Sequence, residues 1–258
     1  MNDSPKISVV TVCYNAADAI ERTIGSVINQ TYSNIEFIVV DGGSSDCTVN
    51  ILRKYDGKIS KWTSEPDKGI YDAMNKGVEF ATGNWIIFMN VGDVFCNNEV
   101  LTRISKELDN NYTFIYGNTI CDFAGILIRR IPSSLDKIRR YMPFSHQSVF
   151  IKSDYHKCHL YDTSFSLVAD YDLFYHSYLN GEAFKYVSLD VAIYEAEKGV
   201  SSINYKKRCI EYARIHGNSE SMFFYSILNV MIIWHEIKHF VKSFMPKCAI
   251  REYYRLRL

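Results

Sequence analysis

The chain has 258 residues, 47% hydrophobic and 22% charged, enough to bury a core without disulfide or metal support. Its 29 basic and 29 acidic side chains cancel, which argues against a general nucleic-acid binder, and no nucleic-acid partner is expected. Seven scattered cysteines without a C-x-x-C pair indicate neither a disulfide framework nor a zinc site, and the polar start Met1 to Lys6 lacks the pattern of a secretory signal, so a reducing, cytoplasmic setting is expected.

Lys6 to Tyr14 is β-branched and ends at Asn15-Ala16-Ala17-Asp18, after which Ile20, Ile24, Val27 and Ile28 recur at helical spacing. Ile35 to Val40 is a second apolar run, closed by Asp41-Gly42-Gly43-Ser44-Ser45-Asp46. A short helix carrying Val49, Ile51, Leu52 and Tyr55 follows, which Ser45 or Asp46 is placed to cap. A weaker strand, Ile59 to Thr63, leads through Ser64-Glu65-Pro66-Asp67-Lys68-Gly69 to a helix over Ile70 to Thr82. Trp85 to Met89 then reads as a buried strand that delivers Asp93 just beyond its end. This alternation predicts a parallel, doubly wound sheet, whose right-handed crossovers gather Asp41, Asp67 and Asp93 at the carboxyl edge, where ligands bind.

Beyond Asn98 the rhythm changes to a helix over Glu99 to Leu108, paired strands at Thr113 to Cys121 and Gly125 to Ile131, and a basic helix at Leu135 to Tyr141. A strand at Gln147 to Lys152, a helix at Ala169 to Leu179 and a strand at Phe184 to Tyr194 follow. Two helices are expected in the tail, Tyr205 to His216 and Met222 to about Phe244. The apolar run of the second falls short of the roughly 20 residues a bilayer span needs. With its lysines and Arg251, Arg255 and Arg257 it suits an anionic membrane surface; packing of Phe223, Leu228, Ile232 and Trp234 on the body is an equal alternative.

The segments Val9 to Asn15, Val39 to Asp46, Asp67 to Gly77 and Phe88 to Asp93, with weaker matches at His146 to Phe150 and Ala169 to Leu173, resemble family 2 glycosyltransferases. More narrowly, they resemble the bacterial enzymes that assemble colanic acid, exopolysaccharide and O-antigen units. The resemblance implies an α/β, Rossmann-like GT-A fold, a mixed sheet flanked by helices, here with a C-terminal helical tail. It divides the chain into a nucleotide-sugar-binding half over 1–98, an acceptor-binding half of the same domain over 99–203, and a helical, basic tail over 204–258. The implied reaction is inverting transfer from a UDP- or GDP-sugar to a growing, lipid-linked oligosaccharide, in the cytoplasm and with a peripheral place at the inner membrane left open. The thinned acidic motif keeps a second reading in view, a non-catalytic nucleotide-sugar-binding or scaffolding subunit. The absence of G-x-G-x-x-G after the first strand argues against a dinucleotide-dependent oxidoreductase.

Residue by residue, Asp41 and Tyr14 stand at adjacent strand ends, where a carboxylate accepting from base or ribose and a ring beside the base are needed. Asp67 and Lys68 border the sugar-nucleotide in the resembling enzymes, Gly69 admits backbone to a ligand, and Asp72 begins a helix whose N-terminus favours anions. Met74 stands where the wider family often has an arginine. Asp93 is the metal candidate for Mg²⁺ or Mn²⁺, which take oxygen ligands and commonly one or two carboxylates plus substrate phosphates. Asn90 and Gly92 occupy places where the family usually has more acid, and Asn90 is counted with the donor contacts. By motif position Asp170 matches the family's general base, with Ala169 in place of its glutamate and Asp172 as the rival. His146 is a candidate contact to donor sugar or acceptor. Ser201, in Lys198-Gly199-Val200-Ser201, resembles the glycine-serine loop that closes near the diphosphate.

Overall fold

The computed structural model describes residues 4–123, 125–195 and 204–218, with scattered positions between 228 and 244. Strands β1 (Ile7–Cys13), β2 (Ile35–Asp41), β3 (Lys61–Ser64) and β4 (Trp85–Phe88) alternate with helices α1 (Ile20–Ile28), α2 (Thr48–Lys54) and α3 (Ile70–Phe80). All seven residues of β1 and all four of β4 are buried, because helices cover both sheet faces and the apolar runs need no polar side. The parallel pairs align Cys13 with Asp41 and Val10 with Phe88, so strand ends and their loops share one edge. Helix α3 lies hard on the sheet: a Cβ at Gly77 would stand 2.4 Å from Val10 Cγ1, a space only glycine leaves.

The second half supplies β5 (Val94–Phe95), α4 (Val100–Ile104), β6 (Phe114–Phe123), β7 (Ile126–Arg130), β8 (Val149–Lys152), α5 (Ser153–Cys158), α6 (Ala169–Leu179), β9 (Phe184–Glu195) and α7 (Tyr205–Ile215). The strand order is β3-β2-β1-β4-β8-β6-β9-β5, with β7 paired to β6. Direction changes at β4, which is parallel to β1 on one side and antiparallel to β8 on the other. The sheet is therefore mixed, as expected of a GT-A fold. The chain forms two compact units, one of residues 1–120 and 129–194, the other of 121–128 and 195–258.

Several elements differ from the sequence reading. The helix expected over Glu99 to Leu108 is only Val100–Ile104, and the basic helix at Leu135 to Tyr141 is a 3-10 helix, Leu135–Arg139. Gln147 lies in a second short 3-10 helix, His146–Ser148, which precedes β8. Helix α5 was not anticipated, since Ser-Asp-Tyr-His-Lys-Cys shows no apolar period. Its aromatic side chains pack instead, Tyr155 against Phe114 and His156 against Phe88 and Tyr161. Among the described residues no helix is long and apolar enough to cross a membrane.

Candidate active site

The loops after β1 and β2 are knitted together at the carboxyl edge. Asn15, at φ 46°, donates its amide to Ser44 Oγ at 2.7 Å and accepts the Ser45 amide on Oδ1 at 2.9 Å. Asp41 ends β2 fully buried, and its carboxylate accepts from the Gly43 amide (3.2 Å), the Ser44 amide (2.9 Å), the Ser44 hydroxyl, the Ser64 hydroxyl (2.6 Å) and the Cys13 thiol (3.5 Å). Burial, with the Asp41 charge beside it, pushes the Cys13 thiol far up, so it stays protonated and donates to Asp41. The N-cap of α2 is Cys47, which makes no side-chain cap bond; Asp46, one residue before it, accepts the Thr48 amide at 2.9 Å.

Tyr14 is 63% exposed and Asp67 half-buried, and the Gly42 backbone runs between them. A Cβ on Gly42 would meet Asp67 Oδ2 at 2.4 Å and Tyr14 Cδ2 at 3.5 Å. Tyr14, Asp41 and Asp67 are thus brought together, with a flat backbone floor. Asp67 Oδ1 accepts the Gly69 amide at 2.8 Å, and Asp72 accepts the Lys68 amide at 3.0 Å, so the approach to α3 is held by its own carboxylates. Lys68 is exposed, and Asp72 also lies 3.9 Å from Lys76.

A second group forms where β4, α3 and α6 meet. Thr23 of α1 clamps the turn after β4, its hydroxyl donating to Asp93 O at 2.9 Å and accepting the Gly92 amide at 3.0 Å. Asp93 is buried, and burial pushes its carboxyl up to about 7; the His146 charge, a Gln147 side-chain hydrogen bond and the Arg22 charge pull the other way. Asp170, in the first turn of α6, accepts His146 Nδ1 on Oδ2 at 3.1 Å and the Tyr71 hydroxyl on Oδ1 at 2.9 Å. Burial opposes charge on both partners of the His146–Asp170 pair. Their mutual hydrogen bond and attraction nevertheless hold the Asp170 carboxyl below its ordinary range and the imidazole above its own. His146 Nε2 is buried without a protein partner.

Sequence reasoning missed Tyr71, Gln147 and Arg22 as members of this group; the first two lie inside segments that carry the resemblance, but nothing local sets them apart. Asp172 faces elsewhere, pairing with His176 Nε2 at 3.3 Å. Ser201 and its loop lie outside the described residues. Among those residues no cluster of three His, Cys, Asp or Glu side chains forms a ready metal site. The donor set still suits a hard cation brought by a diphosphate: Asp93 is a carboxylate whose burial a cation would relieve, and Asn90, whose backbone carbonyl accepts the Asp93 amide at 2.9 Å, has a buried Oδ1 without a partner.

The pattern described as "Glycosyl transferase family 2" matches residues 8–169. An uncharacterized glycosyltransferase of Mycobacterium tuberculosis is 33% identical over 184 residues, covering 66% of this chain and 68% of the relative. The UDP-Glc:alpha-D-GlcNAc-diphosphoundecaprenol beta-1,3-glucosyltransferase of Escherichia coli is 38% identical over 117 residues, 45% of this chain and 46% of that enzyme. In fold, a mannosyltransferase from Pyrobaculum calidifontis, solved with GDP-Man and Mn²⁺, superposes with a TM-score of 0.65 at 14% identity, covering 84% of this chain and 65% of that one. The matched pattern runs from the first strand to the head of α6, and the chain belongs to glycosyl transferase family 2.

Proposed function

We propose that this glycosyltransferase moves one sugar, with inversion, from a UDP- or GDP-sugar to a growing lipid-linked oligosaccharide of a bacterial surface polysaccharide. The observation that carries the reading is the Asp170 carboxylate, ionised, buried and held by two donors in the same group as Asp93. The nucleoside lies over Tyr14 and the Gly42 floor, bounded by Asp67. Asp41 fixes the loop beneath, and a direct contact from it requires exchange of one of its present donors. Lys68, Asp72 and Asn90 border the diphosphate and sugar. The UDP- and GDP-sugars named for the relatives, and the diphosphoundecaprenol acceptor of one, support this donor and acceptor class.

In the reaction the acceptor hydroxyl oxygen attacks the anomeric carbon as the bond to the diphosphate oxygen breaks. The electron pair leaves with the nucleoside diphosphate, and the hydroxyl proton passes to Asp170. A single displacement with one base and no partner nucleophile inverts the anomeric centre. His146 Nε2, buried and unpaired, is available to a hydroxyl of sugar or acceptor. Asp93 and Asn90 would hold Mg²⁺ or Mn²⁺, which neutralises charge on the departing diphosphate when bound. Exposed Val230, Ile233, Trp234, Ile237, Phe240 and Phe244, spaced as one helix face, with the basic residues of the chain's end, support docking on an anionic membrane surface.

Replacing the base tests the central assignment. Asp170→Asn is expected to lower turnover at least ~100-fold, within the range ascribed to general-base catalysis, while UDP or GDP binding by calorimetry stays within about twofold. Retained turnover would move the base to another residue.

A further inference from the structure

Among the described side chains Asp170 is held from two directions, by the Tyr71 hydroxyl on one oxygen and His146 Nδ1 on the other. We propose that Tyr71 and His146 are positioning residues for Asp170, each holding one carboxylate oxygen so that the base meets the acceptor hydroxyl in a single orientation. The inference rests on that reading. The terminal torsion of an aspartate is soft and broadly populated, so an untethered carboxylate samples many directions. Donors on separate oxygens remove that freedom, and the lone pairs left over remain available to a hydroxyl. Alignment of this kind is worth large factors in rate.

The two holders come from different parts of the chain and are themselves anchored. Tyr71 opens α3, is 7% exposed, and its ring centroid lies 5.3 Å from that of Tyr161. Tyr161 is fixed through its backbone, its amide donating to Asn75 Oδ1 and its carbonyl accepting Asn75 Nδ2, both at 2.9 Å. One turn of α3 therefore carries both Tyr71 and the clamp that braces it. His146 sits in the 3-10 helix before β8, and Tyr171, next to the base, ties α6 to Ile138 O at 2.6 Å. The charged and titratable groups facing Asp170 are then His146, Tyr71 and Tyr161, with Asp93 acting on it through His146.

The test uses the full chain with UDP-glucose and GDP-mannose, reading nucleoside diphosphate release against pH, together with carbon-13 NMR titration of labelled aspartate, in which Asp170→Asn identifies the Asp170 signal. Tyr71→Phe is expected to lower kcat roughly tenfold with little change in donor KM, and to move both the acid limb of the rate profile and the Asp170 titration to higher pH. His146→Asn, which keeps an amide donor near the Nδ1 position, is expected to retain several-fold more of this hold than His146→Ala. If the Asp170 signal titrates identically in the wild type and Tyr71→Phe, or the His146 Asn and Ala variants are indistinguishable, the positioning inference is overturned. Survival of turnover in Asp170→Asn would instead overturn its role as base, an outcome separate from the NMR result.

Discussion

Burial pushes the Asp93 carboxyl up to about 7, against the pull of His146, Gln147 and Arg22. A carboxyl raised above its ordinary 3.8 binds its proton more tightly in the folded state, so its contribution to stability declines as pH rises from about 4 to about 7. A bound cation reverses that cost. Asp93→Asn is therefore expected to raise the Tm above wild type progressively between about pH 4 and pH 7 without metal, with the gap constant above that, and to abolish any gain in UDP or GDP affinity from Mn²⁺. Thermal melts and calorimetry read the two effects; nucleotide affinity in the wild type equal with and without Mn²⁺ would refute the metal role. Asp93, His146 and Asp170 were legible because each stands in a segment with a recognisable pattern. Tyr71 was not, since an aromatic at a helix start reads as core and its phenol finds its partner 99 residues away. Asp41 also carried a local signal, since an aspartate followed by Gly-Gly-Ser turns its carboxylate back on the amides of its own loop.

Among elements, the edge opposite the candidate site is fastened through Glu36 of β2. Its carboxylate accepts the Ser8 hydroxyl (2.6 Å) of β1, the Thr82 amide (2.7 Å) and hydroxyl (2.6 Å) beyond α3, and Lys6 Nζ (3.0 Å). Burial works against its charge, but these donors hold its carboxyl at about 2, below the ordinary 4.5. A depressed carboxyl stabilises the fold fully above the unfolded value and loses that contribution as pH falls from 4.5 toward 2. Glu36→Gln is expected to cost about 1–3 kcal/mol at neutral pH, with the gap from wild type closing below about pH 4; denaturant melts that show no pH dependence of that gap would refute it. The parallel elements were legible because fully buried strands are continuous apolar runs and their helices keep a clean period. Helix α5, the two-residue β5 and the 3-10 helices lack either signature, so only tertiary packing defines them.

At the scale of the whole chain, zero net charge conceals a basic end: from Val230 onward six lysines and arginines stand against two glutamates. Combined with exposed Trp234 and Phe240, this predicts co-sedimentation with phosphatidylglycerol vesicles, weakened by salt and lost in Trp234→Glu with Phe240→Glu. Wild-type protein left in the supernatant at low salt would refute the membrane proposal. The sheet carries a different consequence, for the order in which the chain can be made. Strand β4 is Trp-Ile-Ile-Phe and gains its antiparallel neighbour only from Val149–Lys152, while β5 waits for Ile193 and Ala192. A nascent chain that has completed the βα half therefore presents a bare apolar strand edge until some sixty further residues, a rough count, have left the ribosome. The edge of β4 that pairs with β8 is thus also the edge most open to pairing with another chain during synthesis.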